Sequence, residues 1–202
     1  MKESRIVNII SILVLISVFS LNTEAQDYYS SKEYVEYNNV RYRVTHYPGS
    51  VYVGNTANHM REVPRHKVGS DPTVYYTYAS GMGHMATSDA VQFKKIVRDV
   101  FSDDEINTYA KSQGSVFLTY VVDPNSGKVL EVSFRIGINN GDKTLLAIPI
   151  EKFYKLEVLI KQRLVCHISE ALKAEKQSYA LSGDTLFSDG RRHRSSVDGL
   201  LL

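Results

Sequence analysis

Gly114-Ser115-Val116-Phe117-Leu118-Thr119-Tyr120-Val121-Val122-Asp123-Pro124-Asn125-Ser126-Gly127-Lys128-Val129-Leu130-Glu131-Val132-Ser133-Phe134-Arg135-Ile136-Gly137-Ile138 carries two strand signals back to back. Val116 to Val122 is a continuous, largely apolar run around Thr119, the pattern of an interior strand. Leu130, Val132, Phe134, Ile136 and Ile138 alternate with Glu131, Ser133, Arg135 and Gly137, which predicts a strand with one apolar face. Asp123 to Lys128 is turn chemistry between them. Its Asp, Asn and Gly spacing resembles the opening of a calcium loop, but the twelfth position, where such a loop needs a bidentate glutamate, is Phe134. The segment therefore reads as a hairpin, and a hairpin implies an antiparallel sheet.

Toward the C-terminus, Phe153, Leu156, Leu159, Ile160 and Leu164 make a helical stripe. Glu151 with Lys155 and Glu157 with Lys161 are spaced one turn apart in the favourable order. Leu164, Cys166 and Ile168 then alternate with Val165, His167 and Ser169, which predicts a short strand over 164–169. Residues 171–180 fit helix or strand. From Ser182 the chain reads as a polar tail, 182–202, containing Arg191-Arg192-His193-Arg194.

Toward the N-terminus, Ala90, Phe93, Val97, Val100 and Phe101 recur at helical spacing, and Ser102 with Glu105 three residues later is a capping box. The acids Asp103, Asp104 and Glu105 are accounted for by that helix start, where the dipole favours negative charge. Thr73 to Tyr78 is rich in β-formers. Pro48–Pro72 reads as a long loop holding only a brief strand at Val51-Tyr52-Val53. Tyr34 to Tyr37 and Val40 to Val44 flank Asn38-Asn39, two residues that tolerate positive φ in a tight turn. That turn pairs Tyr37 with Val40, Glu36 with Arg41, Val35 with Tyr42 and Tyr34 with Arg43, with the charges on one face. The expected fold is α+β: an antiparallel sheet of hairpins packed against two or three helices, in one domain spanning 26–181.

Residues 1–25 read as a cleavable signal peptide. A short charged start (Lys2, Glu3, Arg5) is followed by an apolar run, Ile6 to Leu21, and by small Ala25 before Gln26. The run is short and contains Asn8, Ser11, Ser17 and Ser20, so no membrane span is expected after cleavage. The expected location is the periplasm or the cell exterior. Across 202 residues, 24 basic side chains face 22 acidic ones, which does not suggest a nucleic-acid partner. The lone Cys166 excludes an internal disulfide, and 14 tyrosines with no tryptophan suit half-exposed strand faces.

No arrangement of residues identifies a catalytic site, a metal or a cofactor. Cys166 and His167 are neighbours on an expected strand and point to opposite faces, so they cannot act as a nucleophile pair with each other. His59 and His66 lie among Arg61, Arg65 and Lys67, surroundings hostile to a divalent cation. Gly81-Met82-Gly83-His84-Met85 reads as a flexible turn rather than a soft-metal site. Two function classes stay open. One is a non-enzymatic envelope protein that presents a sheet edge or a tyrosine face, with Tyr75, Tyr76 and Tyr78 as partner-binding candidates, to another envelope or cell-surface protein. The alternative is a carbohydrate-binding protein or hydrolase with its site on the 48–72 loop and the strand carrying Tyr75, Tyr76 and Tyr78.

Gly114 to Leu164, with its Phe117-to-Asp123 strand, its turn closing at Gly127-Lys128-Val129, Leu130-Glu131-Val132 and the helix from Phe153 to Lys161, resembles the C-terminal domain of TonB, the periplasmic energy transducer. The resemblance implies a hairpin–helix–strand core whose last strand receives a partner by edge pairing. Here that strand would be 164–169, with Val165 and His167 at the partner. The tyrosine-rich first half and the Ala25-Gln26 junction also look like the small exported proteins of unassigned role found in Bacteroides-type bacteria.

Overall fold

Asn38 and Asn39 sit at φ 51° and 61°, and the two-residue turn they make sets the register of the first hairpin. Strand β1 (Tyr34–Tyr37) pairs with β2 (Val40–Tyr47) in the pattern the sequence predicts, Tyr34 with Arg43 through Tyr37 with Val40. A computed structural model of the chain describes residues 28–60, 86–174 and 179–187. The expected signal peptide, 1–25, and the tyrosines Tyr75, Tyr76 and Tyr78 lie outside them. Among the described residues no helix is long and apolar enough to cross a membrane.

Eight strands are described. After β1 and β2 come β3 (Ser50–Asn55), β4 (Thr87–Ser88), β5 (Ser115–Val122), β6 (Val129–Gly137), β7 (Cys166–His167) and β8 (Ala180–Leu186). Six form one antiparallel sheet in the order β1-β2-β3-β6-β5-β8, and β4 pairs with β7 apart from it. Helices α1 (Ala90–Val100), α2 (Asp103–Ala110), α3 (Ile150–Arg163) and the short α4 (Glu170–Ala174) complete the α+β architecture. The α1 and α2 starts are capped by Asp89 and by the Ser102–Glu105 box.

One face of the sheet is the core. Val44, Val53, Phe134 and Leu118 are in register across β2, β3, β6 and β5, and all four are buried. Helix α3 lies over this face, with the Phe153 ring 4.6 Å from that of Phe134. Lys152 Nζ, on the same helix, donates to the Val100 carbonyl at 2.9 Å and to Glu105 at 2.8 Å, tying α3 to the α1–α2 corner. Buried Glu157 accepts from Tyr42 Oη at 2.6 Å and from Asn55 Nδ2 at 2.9 Å, with Lys161 Nζ at 3.4 Å. Three donors on one carboxylate meet the requirement that makes a buried charge tolerable.

Four expectations need correction. The brief strand expected at Val51-Tyr52-Val53 within a long loop is longer: Pro48-Gly49, with Gly49 at φ 72°, is a two-residue turn into β3, whose six residues pair with β2 and five of them with β6. Residues 182–187 are not tail, because β8 runs to Leu186 and Phe187 is fully buried. The strand expected over 164–169 shrinks to Cys166–His167 and pairs with Thr87–Ser88, while β8 takes the place beside β5. Finally, Leu130 is not on the apolar face. A bulge pairs Val122 with Val129 and Val121 with Glu131, leaving Leu130 as the extra residue, 39% exposed.

Two tests follow from these contacts. Tyr42→Phe should cost roughly 1–3 kcal/mol in a urea melt, because it withdraws a donor from a buried carboxylate. The cost should shrink in a Glu157→Gln background, which removes the charge that the hydroxyl serves. The second test concerns Asp142, which bonds Thr144 and accepts from the Gln113 amide and the Ser112 hydroxyl, contacts that pull its carboxyl down to about 2. A lowered folded-state value means a stabilisation complete above its ordinary value of 3.8 and lost as pH falls toward 2. Melting temperatures of the wild type and Asp142→Asn, measured from pH 6 to 2, should therefore converge at the acid end.

Candidate interaction face

The sheet face opposite α3 is assembled by the same registers. Tyr34, Arg43, Gly54, Ser133 and Thr119 fall in one row across five strands, and Thr45, Tyr52, Arg135 and Phe117 in the next. Alternation along β1 and β2 then adds Glu36, Arg41 and Tyr47. Tyr47 is 54% exposed and Tyr34 38%, and Glu36, Arg41, Arg43 and Arg135 are exposed beside them.

These side chains are partly organised by one another. The Arg41 guanidinium lies 3.9 Å from the centre of the Tyr34 ring and its Nε is 3.5 Å from Glu36. Arg135 Nε donates to Ser50 Oγ at 3.1 Å. Tyr52 lies along its own strand over Gly54, where an added Cβ would stand 2.7 Å from its ring. Glycine is what lets that ring lie flat on the sheet. Three arginines against exposed Glu36 and buried Glu131 give the face a positive balance, and Tyr and Arg are the residue types that dominate binding energy at protein interfaces.

Val165 and His167 are elsewhere. They line a polar cleft of about 820 Å3 with Thr87, Asn125, Ser126 and Lys173. Their backbone is not an open sheet edge: the Val165 amide donates to Gln92 Oε1 at 3.1 Å, that of Cys166 to the Gly127 carbonyl at 2.8 Å, and His167 pairs with Thr87. Cys166 is buried and His167 exposed, in keeping with neighbours on a strand that point to opposite faces. Burial pushes the Cys166 thiol up to about 11, which suppresses the thiolate a nucleophile needs. Near it, Asp184 accepts from Tyr120 Oη and Ser88 Oγ, each at 2.9 Å, and burial raises its carboxyl.

The exposed His59 ring stands 3.8 Å from Glu131, beyond hydrogen-bond reach, although the His59 and Met60 amides both donate to that carboxylate at 2.8 Å. His66 lies outside the described residues. Among the described residues no three His, Cys, Asp or Glu side chains gather as a metal site would require.

The sequence reading missed Arg41, Arg43 and Arg135 as one surface. The alternation Arg41, Arg43, Thr45, Tyr47 was a sufficient signal for one strand. Joining it to Arg135 needs the pairing of β3 with both β2 and β6, which the short apolar triplet Val51-Tyr52-Val53 does not reveal.

No family model matches the chain, and no curated protein matches it. The resemblance to the TonB C-terminal domain gains no support from these comparisons. Among solved structures, a DUF5043 family protein from Bacteroides uniformis is similar in fold at a TM-score of 0.63 and 16% identity, covering 81% of this chain and 95% of that one.

Proposed function

We propose that this chain is an exported protein-interaction module, without enzymatic activity of its own, that engages an acidic surface of another envelope or cell-surface protein through the outer face of β1, β2, β3 and β6. The observation that carries the reading is the convergence of Arg41, Arg43, Arg135, Tyr34 and Tyr47 on one side of the sheet, exposed and with Arg41 already stacked on Tyr34. Holding an arginine against an aromatic ring reduces the entropy lost when a partner orders it. The expected signal peptide supports export. Tyr29, a few residues beyond Ala25, is fully buried and donates to the Ile148 carbonyl at 2.8 Å, so cleavage after Ala25 leaves this anchor in place.

Photocrosslinking in the native envelope tests the interface. A benzoylphenylalanine at Tyr47 should capture one defined partner. Arg41→Glu with Arg43→Glu should reduce that capture at least about tenfold, equivalent to about 1.4 kcal/mol, with an unchanged melting temperature. Undiminished capture by the charge-reversed protein would refute the face. Capture from Val165 and not from Tyr47 would move the interface to the polar cleft. N-terminal sequencing of the protein recovered outside the cytoplasm should begin at Gln26.

A further inference from the structure

Helices α1 and α2 and the end of β8 enclose a groove of about 460 Å3 at the margin of the core, away from the interaction face. That is within the roughly 300–1,000 Å3 of small-molecule sites. Phe93, Val97, Ile106, Ala110 and Leu186 supply its carbon lining, and Phe187 closes it. Phe187 is fully buried, edge-on to Phe101 at 5.2 Å and tilted against Tyr109 at 5.3 Å. Its φ of 53° is a backbone state that bulky residues rarely adopt, and the surrounding rings hold it there.

The rim of this groove is charged unequally. Lys94 and Arg98 line it from α1, one helical turn apart and so on the same side of the helix. Neither makes an ion pair among the described residues. Asp103 lines it from α2, where it stands in the first turn and is favoured by the helix dipole. Two unpaired cations above a carbon-lined groove complement an anionic head on an apolar tail.

We propose that the groove between α1, α2 and Phe187 binds a free long-chain carboxylate, with its tail against the half-buried Ile106 and Ala110 and its head between Lys94 and Arg98. The guanidinium fork of Arg98 suits a carboxylate in two-point contact, and Lys94 adds a point charge.

Calorimetric titration of the full chain with dodecanoate below its micelle concentration tests this, with dodecyltrimethylammonium as the probe of identical tail and opposite head. Dodecanoate should bind saturably at one site, and at least about tenfold more tightly than the cation. Lys94→Glu with Arg98→Glu should invert that preference. Ala110→Trp, which fills the groove and leaves the charges in place, should abolish binding of both while the protein still melts cooperatively. No saturable binding of dodecanoate, equal binding of the two amphiphiles, or unchanged dodecanoate affinity in the charge-reversed protein would each overturn the proposal. The charge pair lies on the groove's rim, so that variant decides the matter even if Ala110→Trp fails to fold.

Discussion

Helix α3 on the inner face of the sheet is the contact on which the other parts of the structure depend. Phe153 packs on Phe134 of β6, and four residues later Glu157 reaches Tyr42 of β2 and Asn55 of β3. One helix thus binds the sequence-local hairpin β5–β6 to the first three strands, which arrive from far away in the chain. The two anchors differ physically. The aromatic contact contributes burial without direction, whereas the carboxylate needs its donors in place, so it fixes how the helix sits over β2 and β3. Lys152 and Tyr29 extend the clamp, to the α1–α2 corner and to the start of the fold.

What was legible in the sequence is local. The Asn38-Asn39 turn predicts its register residue by residue, because a two-residue loop leaves one pairing. The Ser102–Glu105 box and the stripes of α1 and α3 have their causes within a turn or two of helix. The errors are those where a distant partner or one extra residue changes the answer. β3 is legible only as the triplet Val51-Tyr52-Val53, because Pro48-Gly49 reads as the start of a loop and Gly54 weakens the strand signal at the other end. β8 was hidden because Ser182, Gly183 and Asp184 look like tail. Once Asp184 meets Tyr120 and Ser88, its polarity is satisfied inside the fold. Leu130 was misplaced by a bulge, which shifts the two-residue period without any change in composition.

The candidate sites follow the same division. Val165 and His167 were singled out for a sheet edge, and the structure spends their backbone on Gln92 and Thr87. The arginines of the outer face were visible individually but become one surface only when β3 joins β2 to β6. The groove beside Phe187 is less legible still, since it needs two helices and a strand end that were not expected to meet.

The charged groups also divide by whether the fold uses them. Glu157, Asp184, Glu105 and Asp142 each have donors within the molecule, at least one of which in each case comes from a distant part of the chain. Deleting such a carboxylate acts first on stability. Arg43, Arg135, Lys94 and Arg98 have no counter-ion among the described residues, Arg135 donating only to the Ser50 hydroxyl, and Arg41 holds Glu36 at a solvent-facing surface. Such cations contribute little to folding, since exposed pairs contribute roughly 0–1 kcal/mol. They cluster on two surfaces, the sheet face with Tyr34 and Tyr47 and the rim of the Phe187 groove. At both places apolar surface lies against unsatisfied positive charge, a pairing that only an anionic partner completes without burying a bare cation.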